Sequence, residues 1–210
     1  MKHYYKTLLN TLAGMCLLLA TTHATAQLNV NDGVTATDLA NSIVGGGVTV
    51  SNVNLECGAN GAGIFSNGDA TNLGVGEGVL LSTGLAADAD NPASYYAGVN
   101  QGAPGDADLA PLVGEPLNDA CVLEFDFVPN DNMISVQYVF ASEEYPEWVC
   151  SEYNDVFAFF VNGPNPEGGD YVNQNVALIP GTTEPVTINN INNNGGDCPP
   201  FYPGLYVDND

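Results

Sequence analysis

The sequence predicts an all-β fold, an antiparallel β-sandwich of jelly-roll type with one short N-terminal helix. Three observations predict it. Short stretches alternate apolar and polar residues with a period of two, as in VLEFDFV at Val122–Val128. Clusters of Gly, Pro and Asn separate them, among them Gly45-Gly46-Gly47, Pro129-Asn130-Asp131-Asn132 and Asn162-Gly163-Pro164. Helical spacing of apolar residues is confined to one substantial stretch near the N-terminus. A barrel satisfies the same pattern, and alternation alone does not choose between the two.

The elements follow in order. Thr37-Asp38-Leu39-Ala40-Asn41-Ser42-Ile43-Val44 carries a capping residue and helical spacing, and the three glycines after it stop the helix. Val48–Val53 alternates, and Gly78–Gly84 is a short strand bounded by glycine. In Val122–Val128 the residues Leu123, Phe125 and Phe127 share one face, with Glu124 and Asp126 on the other. The turn residues at 129–132 predict that the chain folds back. Ile134, Val136, Tyr138 and Phe140 would then form the inward face of a hairpin partner. Val156–Val161 is apolar on both sides and reads as a central strand ended by Asn162-Gly163-Pro164. Asn175–Ile179 and Pro185–Ile191 continue the series. The segments 86–114 and 189–210 read as long excursions.

Residues 1–26 have the pattern of a secretory signal peptide. Lys2 and Lys6 form a positive head, Leu8–Ala20 is a short apolar stretch, and Ala24-Thr25-Ala26 offers a small-x-small cleavage site. The apolar stretch is short for a bilayer span, and Cys16 lies inside it without a lipobox. The remaining chain, 27–210, reads as one domain.

Removal of residues 1–26 changes the electrostatics completely. The chain contains two basic residues, 25 acidic residues and two histidines, for a formal net charge of −23. Every Lys and His lies before Gln27, so the domain carries −25 and no cationic side chain. Nucleic-acid backbones require cationic neutralisation, and anionic membranes repel such a surface, so neither is an expected partner. Catalysis by Ser-His-Asp or Cys-His lacks its imidazole. The domain is expected to be non-catalytic.

Cys57, Cys121, Cys150 and Cys198 form an even set behind an export signal, which favours two disulfides. Their wide spacing argues against zinc. Three pairings are open. The preferred one is Cys57–Cys121 with Cys150–Cys198, because the second bridge would tie the acidic loop to the distal Asn/Pro-rich loop.

Several stretches together resemble one family. They are IVGGGVTVSNVNL (43–55), GIFS (63–66), LGVGEGVLLSTG (73–84), GDADL (105–109), VLEFDFVP (122–129), YVFASEEYP (138–146), YNDVFAFFVNGP (153–164) and VALIPGTTEPVTINN (176–190). In this order they resemble the choice-of-anchor L domain of secreted bacterial proteins. The resemblance implies an exported surface module, named for the varied sorting or anchoring signals that follow it. Such modules are frequent in gliding and type IX-secreting bacteria. It implies no catalytic residues. It also implies further strands after Tyr206-Val207-Asp208, so the chain reads as truncated at its C-terminal end.

The acidic loop SEEYPEWVCSEYND holds Glu143, Glu144, Glu147, Glu152 and Asp155 with no counter-charge. Screening acts over about 8 Å at physiological salt, so these neighbours feel one another. A hard cation is one remedy, and Ca²⁺ takes six to eight oxygen ligands. The candidate set combines Asp106 and Asp108 of GDADL with Glu143 or Glu144, and Asp155. The plainer reading is that these acids cap turns and solvate the surface. Asp88 and Asp90 show the same two-residue spacing, and neither pair belongs to an EF-hand loop. A carboxylate pair drawn from Glu143, Glu144 or Asp155 with Asp126 would suit a glycoside hydrolase, the main competing function. Trp148 and Tyr153 are the candidate ligand-binding rings, with Tyr95-Tyr96 and the Phe201, Tyr202 and Tyr206 group as further aromatics. An extracellular glycan or protein is the expected partner, in adhesion or surface interaction, with a structural spacer as a third reading.

Overall fold

A computed structural model describes residues 27–90, 98–193 and 198–208. The expected signal peptide at 1–26, Tyr95-Tyr96 and part of the excursion at 189–210 (194–197, 209 and 210) lie outside these described residues. The architecture is all-β. Nine short strands form antiparallel sheets, with two short α-helices beside them, among the described residues.

Strand β1 (Asn29–Asn31) pairs with β3 (Ala62–Ser66), and β3 pairs with β4 (Gly78–Leu81). Helix α1 (Ala36–Ile43) packs near this sheet and buries Leu39 and Ala40 completely. Its cap lies earlier than expected. Thr35 Oγ1 accepts the Asp38 N–H at 3.2 Å, and the Asp38 carboxylate accepts the Thr35 N–H at 2.9 Å. That reciprocal box places Asp38 three residues into the helix, a spacing Thr37 cannot supply.

The expected hairpin between 122–128 and 134–140 does not form. Strand β5 (Val122–Val128) pairs instead with β2 (Thr49–Glu56), with Leu55 opposite Leu123 and Val50 opposite Phe127. The register slips between Ser51 and Asn54, where Asn52 takes a positive φ of 50°. The bridge Cys57–Cys121 sits one step beyond the Glu56/Val122 pair and pins this register. Alternation reports which face is apolar but not which strand lies alongside. Ile134, Val136 and Tyr138, expected to face inward, are exposed.

The expected central strand at 156–161 is also divided. Strand β6 (Val156–Phe157) pairs with β9 (Val186–Thr187), whereas β7 (Phe160–Pro164) pairs with β8 (Asp170–Asn175). At Phe159 the chain changes partner, its N–H donating to Asn175 Oδ1 at 3.2 Å and its carbonyl accepting the Val176 N–H at 2.9 Å. Asn162-Gly163-Pro164 ends the second of these strands from within, at Pro164. It belongs to β7, and a register irregularity between Val161 and Gly163 absorbs the bend. The expected strand at 175–179 reduces to an isolated bridge between Leu178 and Pro185, and that at 185–191 to the two residues of β9. The excursion at 86–114 contains helix α2 (Ala110–Val113).

Buried apolar side chains form two groups. Leu39, Ala40, Ala62, Phe65 and Ala86 lie around α1 and β3, while Val149, Ala177, Ile179, Val186 and Ile188 lie around β9. The second group is the floor of the acidic loop.

Candidate functional site

The acidic loop is built on Ser142. Its hydroxyl donates to Asp155 Oδ2 at 2.6 Å and accepts the Glu144 N–H at 3.0 Å. The Trp148 N–H then donates to the Glu144 carbonyl, and the Ser151 N–H to the Trp148 carbonyl, both at 3.0 Å. Asparagines replace the missing strand ladder. Cys150 N–H donates to Asn189 Oδ1, and Asn189 N–H to Asn154 Oδ1 at 3.2 Å. Two further ties hold the loop down. Val149 is buried at 2 % exposure, and Cys150–Cys198 bridges the loop to the distal segment, as the preferred pairing anticipates. Tyr145 donates its hydroxyl to the Ile191 carbonyl and packs edge-on against Tyr206 at 5.1 Å. Burial first, then Tyr206 and Asp155, raise the Tyr145 phenol well above its ordinary range, so it stays a donor.

Amide and hydroxyl donors therefore take part of the work that lysines or arginines do elsewhere. Asp155 has the Ser142 hydroxyl. Glu144 is less well served, and burial, followed by the charges of Asp155 and Glu143, raises its pKa. A carboxyl raised in the folded state favours folding fully below its unfolded value, near 4.5, and that contribution is lost as pH rises through the raised value. Glu144→Gln removes the cost of partly burying that charge and, with it, the repulsion from Asp155 and Glu143. We expect its Tm at neutral pH to exceed that of the unsubstituted protein by about 1–2 °C, since solvent screening keeps the effect small. The difference should vanish below the ordinary carboxylate range, and thermal melts across that pH range check it.

The structure brings Trp148 and Tyr153 together. Their rings meet edge to face with centroids 5.2 Å apart and planes at 77°. Both remain open to solvent, at 39 % and 51 % exposure. The Trp148 backbone is held by Glu144, and the Tyr153 N–H donates to Ser151 Oγ at 3.1 Å. The pair forms an aromatic corner with carboxylates on both sides in sequence.

Asp106 and Asp108 occupy a different setting. Asp106 Oδ1 accepts the Asp108 and Leu109 N–H groups at 2.8 and 3.0 Å, an acid capping the turn into α2. Its neighbour Asp119, which sequence reasoning did not single out, accepts the N–H groups of Gln101 and Ala103 at 3.1 and 2.6 Å and organises that excursion. Among the described residues, no three Asp, Glu, His or Cys side chains converge to hold a metal ion. Asp126, a candidate in the hydrolase reading, accepts Asn52 Nδ2 across the β2–β5 pair at 2.6 Å. Two small clefts of about 200 and 240 Å³ flank Cys57, and neither is lined by Trp148 or Tyr153. Both are smaller than the cavities that enclose most small-molecule ligands. The aromatic corner suits a ligand that lies on a surface.

Comparison with known proteins gives one positive result. The family model of the choice-of-anchor L domain matches residues 27–210. Searches among curated proteins and among solved structures found no match. The match spans most of the chain, and the two disulfides fit an extracellular or surface protein. The chain belongs to the choice-of-anchor L domain family and is a surface-associated module.

Proposed function

We propose that this domain is an exported, non-catalytic recognition module that holds an extracellular glycan against Trp148 and Tyr153. The observation carrying this reading is the exposed edge-to-face ring pair, on a loop fastened by a disulfide and by asparagine side chains. Aromatic faces take the apolar face of a sugar, and neighbouring carboxylates and amides accept or donate to its hydroxyls. A fixed corner loses little conformational entropy on binding. Export through residues 1–26 is part of the reading, and the family match beginning at Gln27 supports it. We also infer that the sheets stack as a sandwich, a layering favoured by many short antiparallel strands that each have an apolar face to cover.

Trp148→Ala should weaken glycan-array and whole-cell binding by about 10- to 100-fold, as removal of a central aromatic anchor does. Unchanged binding would remove the proposal. Turnover of any glycan in a broad panel would favour the competing hydrolase instead.

A second reading concerns Ca²⁺. Burial first, then the charges of Asp155 and Glu143, raise Glu144, and a bound cation would relieve the part that comes from repulsion. Since no three acidic side chains converge among the described residues, such a site would combine one or two of these carboxylates with loop carbonyls and amides. Protein purified without chelator should then melt higher in millimolar CaCl₂ than in EDTA, by about 2–4 °C for each kcal/mol of linkage. Equal melting temperatures would exclude the site.

A further inference from the structure

If Trp148 and Tyr153 hold a glycan as proposed above, the charge around them selects among sugars. Glu147 directly precedes Trp148, Glu152 directly precedes Tyr153, and both acids are exposed. Each of their α-carbons lies only about 3.8 Å from that of its aromatic neighbour. The two rings meet at 5.2 Å, so a carboxylate is attached beside each arm of one corner. Glu144 is tied to the same corner, its carbonyl accepting the Trp148 N–H at 3.0 Å. Its carboxyl is partly buried and also feels the charges of Asp155 and Glu143. From Gln27 onward the chain has no Lys, Arg or His, so no cationic side chain neutralises this group.

The consequences differ for three kinds of glycan. A sugar carrying carboxylate, sulfate or phosphate would add negative charge to a surface that already repels it. A neutral sugar stacks on the rings but gains nothing from the charge of the carboxylates. An amino sugar with a free ammonium answers both features. Aromatic faces attract a cation, Trp most of all. Carboxylates accept charge-assisted hydrogen bonds from it, stronger than those from a hydroxyl. We propose that the Trp148–Tyr153 corner takes a glycan bearing unsubstituted amino groups, with Glu147 and Glu152 selecting its charge. The rings hold the sugar, and the two glutamates set the preference for the amine over its acetamide.

The test compares a chito-oligosaccharide in its fully de-N-acetylated and fully N-acetylated forms, which share rings and linkages and differ in charge. By calorimetry the amine form should bind about tenfold more tightly at low salt, and the gap should narrow at high salt. Glu147→Gln combined with Glu152→Gln should remove most of that gap. Trp148→Ala should weaken the amine form about tenfold or more. An oligolysine of matched charge should bind more weakly than the amine form, because it lacks the sugar face. Equal binding of the two forms would overturn the amine preference, as would a gap that survives the double substitution. So would the absence of saturable binding by the amine form. Oligolysine binding as tightly, or Trp148→Ala binding the amine form unchanged, would show attraction by bulk charge alone and overturn it too. Failure of the corner itself reads differently: no glycan, charged or neutral, would then respond to Trp148→Ala. The two oligosaccharides and the oligolysine are compared on the unaltered protein, so they decide the matter even if a variant misfolds.

Discussion

Replacing Cys57 and Cys121 together by alanine is expected to lower stability by about 4 kcal/mol. The bridge spans 64 residues of sequence, and the entropy of closing so long a loop sets this scale. Its position adds a second consequence. It lies just past the Glu56/Val122 pair, at the end of the longest strand pairing among the described residues. Beyond Ser51 that pairing slips through the positive-φ residue Asn52, so its register is weakly constrained from the other end. The bridge removes alternatives that would move Leu123, Phe125 and Phe127 to the wrong face. A fall in Tm of about 8–16 °C is therefore expected, together with a broader transition as β2 and β5 sample other pairings. Differential scanning calorimetry of the double variant and of the reduced protein checks it. A loss under about 1 kcal/mol would show that the register is held by side-chain packing alone.

Ile188→Ala is expected to cost about 3–4 kcal/mol, through lost burial and the cavity left behind. Ile188 is fully buried, between Thr187 at 1 % exposure and the turn at Asn189 and Asn190. Its N–H donates to the Asp155 carbonyl at 3.2 Å, so it joins the floor of the acidic loop to β9. The β6–β9 pair has only two residues in each strand and contributes few ladder bonds. Apolar burial beneath it must supply most of the local stability. Loosening that floor should also release Asn189, which accepts the Cys150 N–H, and with it the position of Trp148. The variant should thus melt lower and bind more weakly, whereas Trp148→Ala should bind weakly and melt nearly unchanged. Chemical denaturation beside the binding assay separates the two.

The parts legible in the sequence are those where neighbours along the chain decide the outcome. Strand β5 runs over Val122–Val128, as its alternation predicts, because period two is a local property. Helix α1 is legible in extent, but its cap is Thr35 where the sequence suggests Thr37, because only the three-residue spacing to Asp38 distinguishes them. Pairing is not legible. Nothing local in Val122–Val128 says that Thr49–Glu56 lies beside it while 134–140 does not. Strand β8 escapes sequence reasoning because DYVNQN is mostly polar, and its hairpin with β7 depends on Gly168 and Gly169 at φ 115° and 76°. Both preferred disulfides form, and Trp148 and Tyr153 meet. The wider acidic set does not gather, because Asp106 is occupied with the turn into α2.

Trp148 is the only tryptophan in the chain, so its fluorescence reports on the proposed recognition corner without background. Titration with the best ligand from a glycan array should quench and blue-shift this emission saturably as the sugar covers the indole. The same titration of Tyr153→Ala should need roughly tenfold more ligand. A glycan that binds by calorimetry while leaving the emission unchanged would show that recognition lies elsewhere on the molecule.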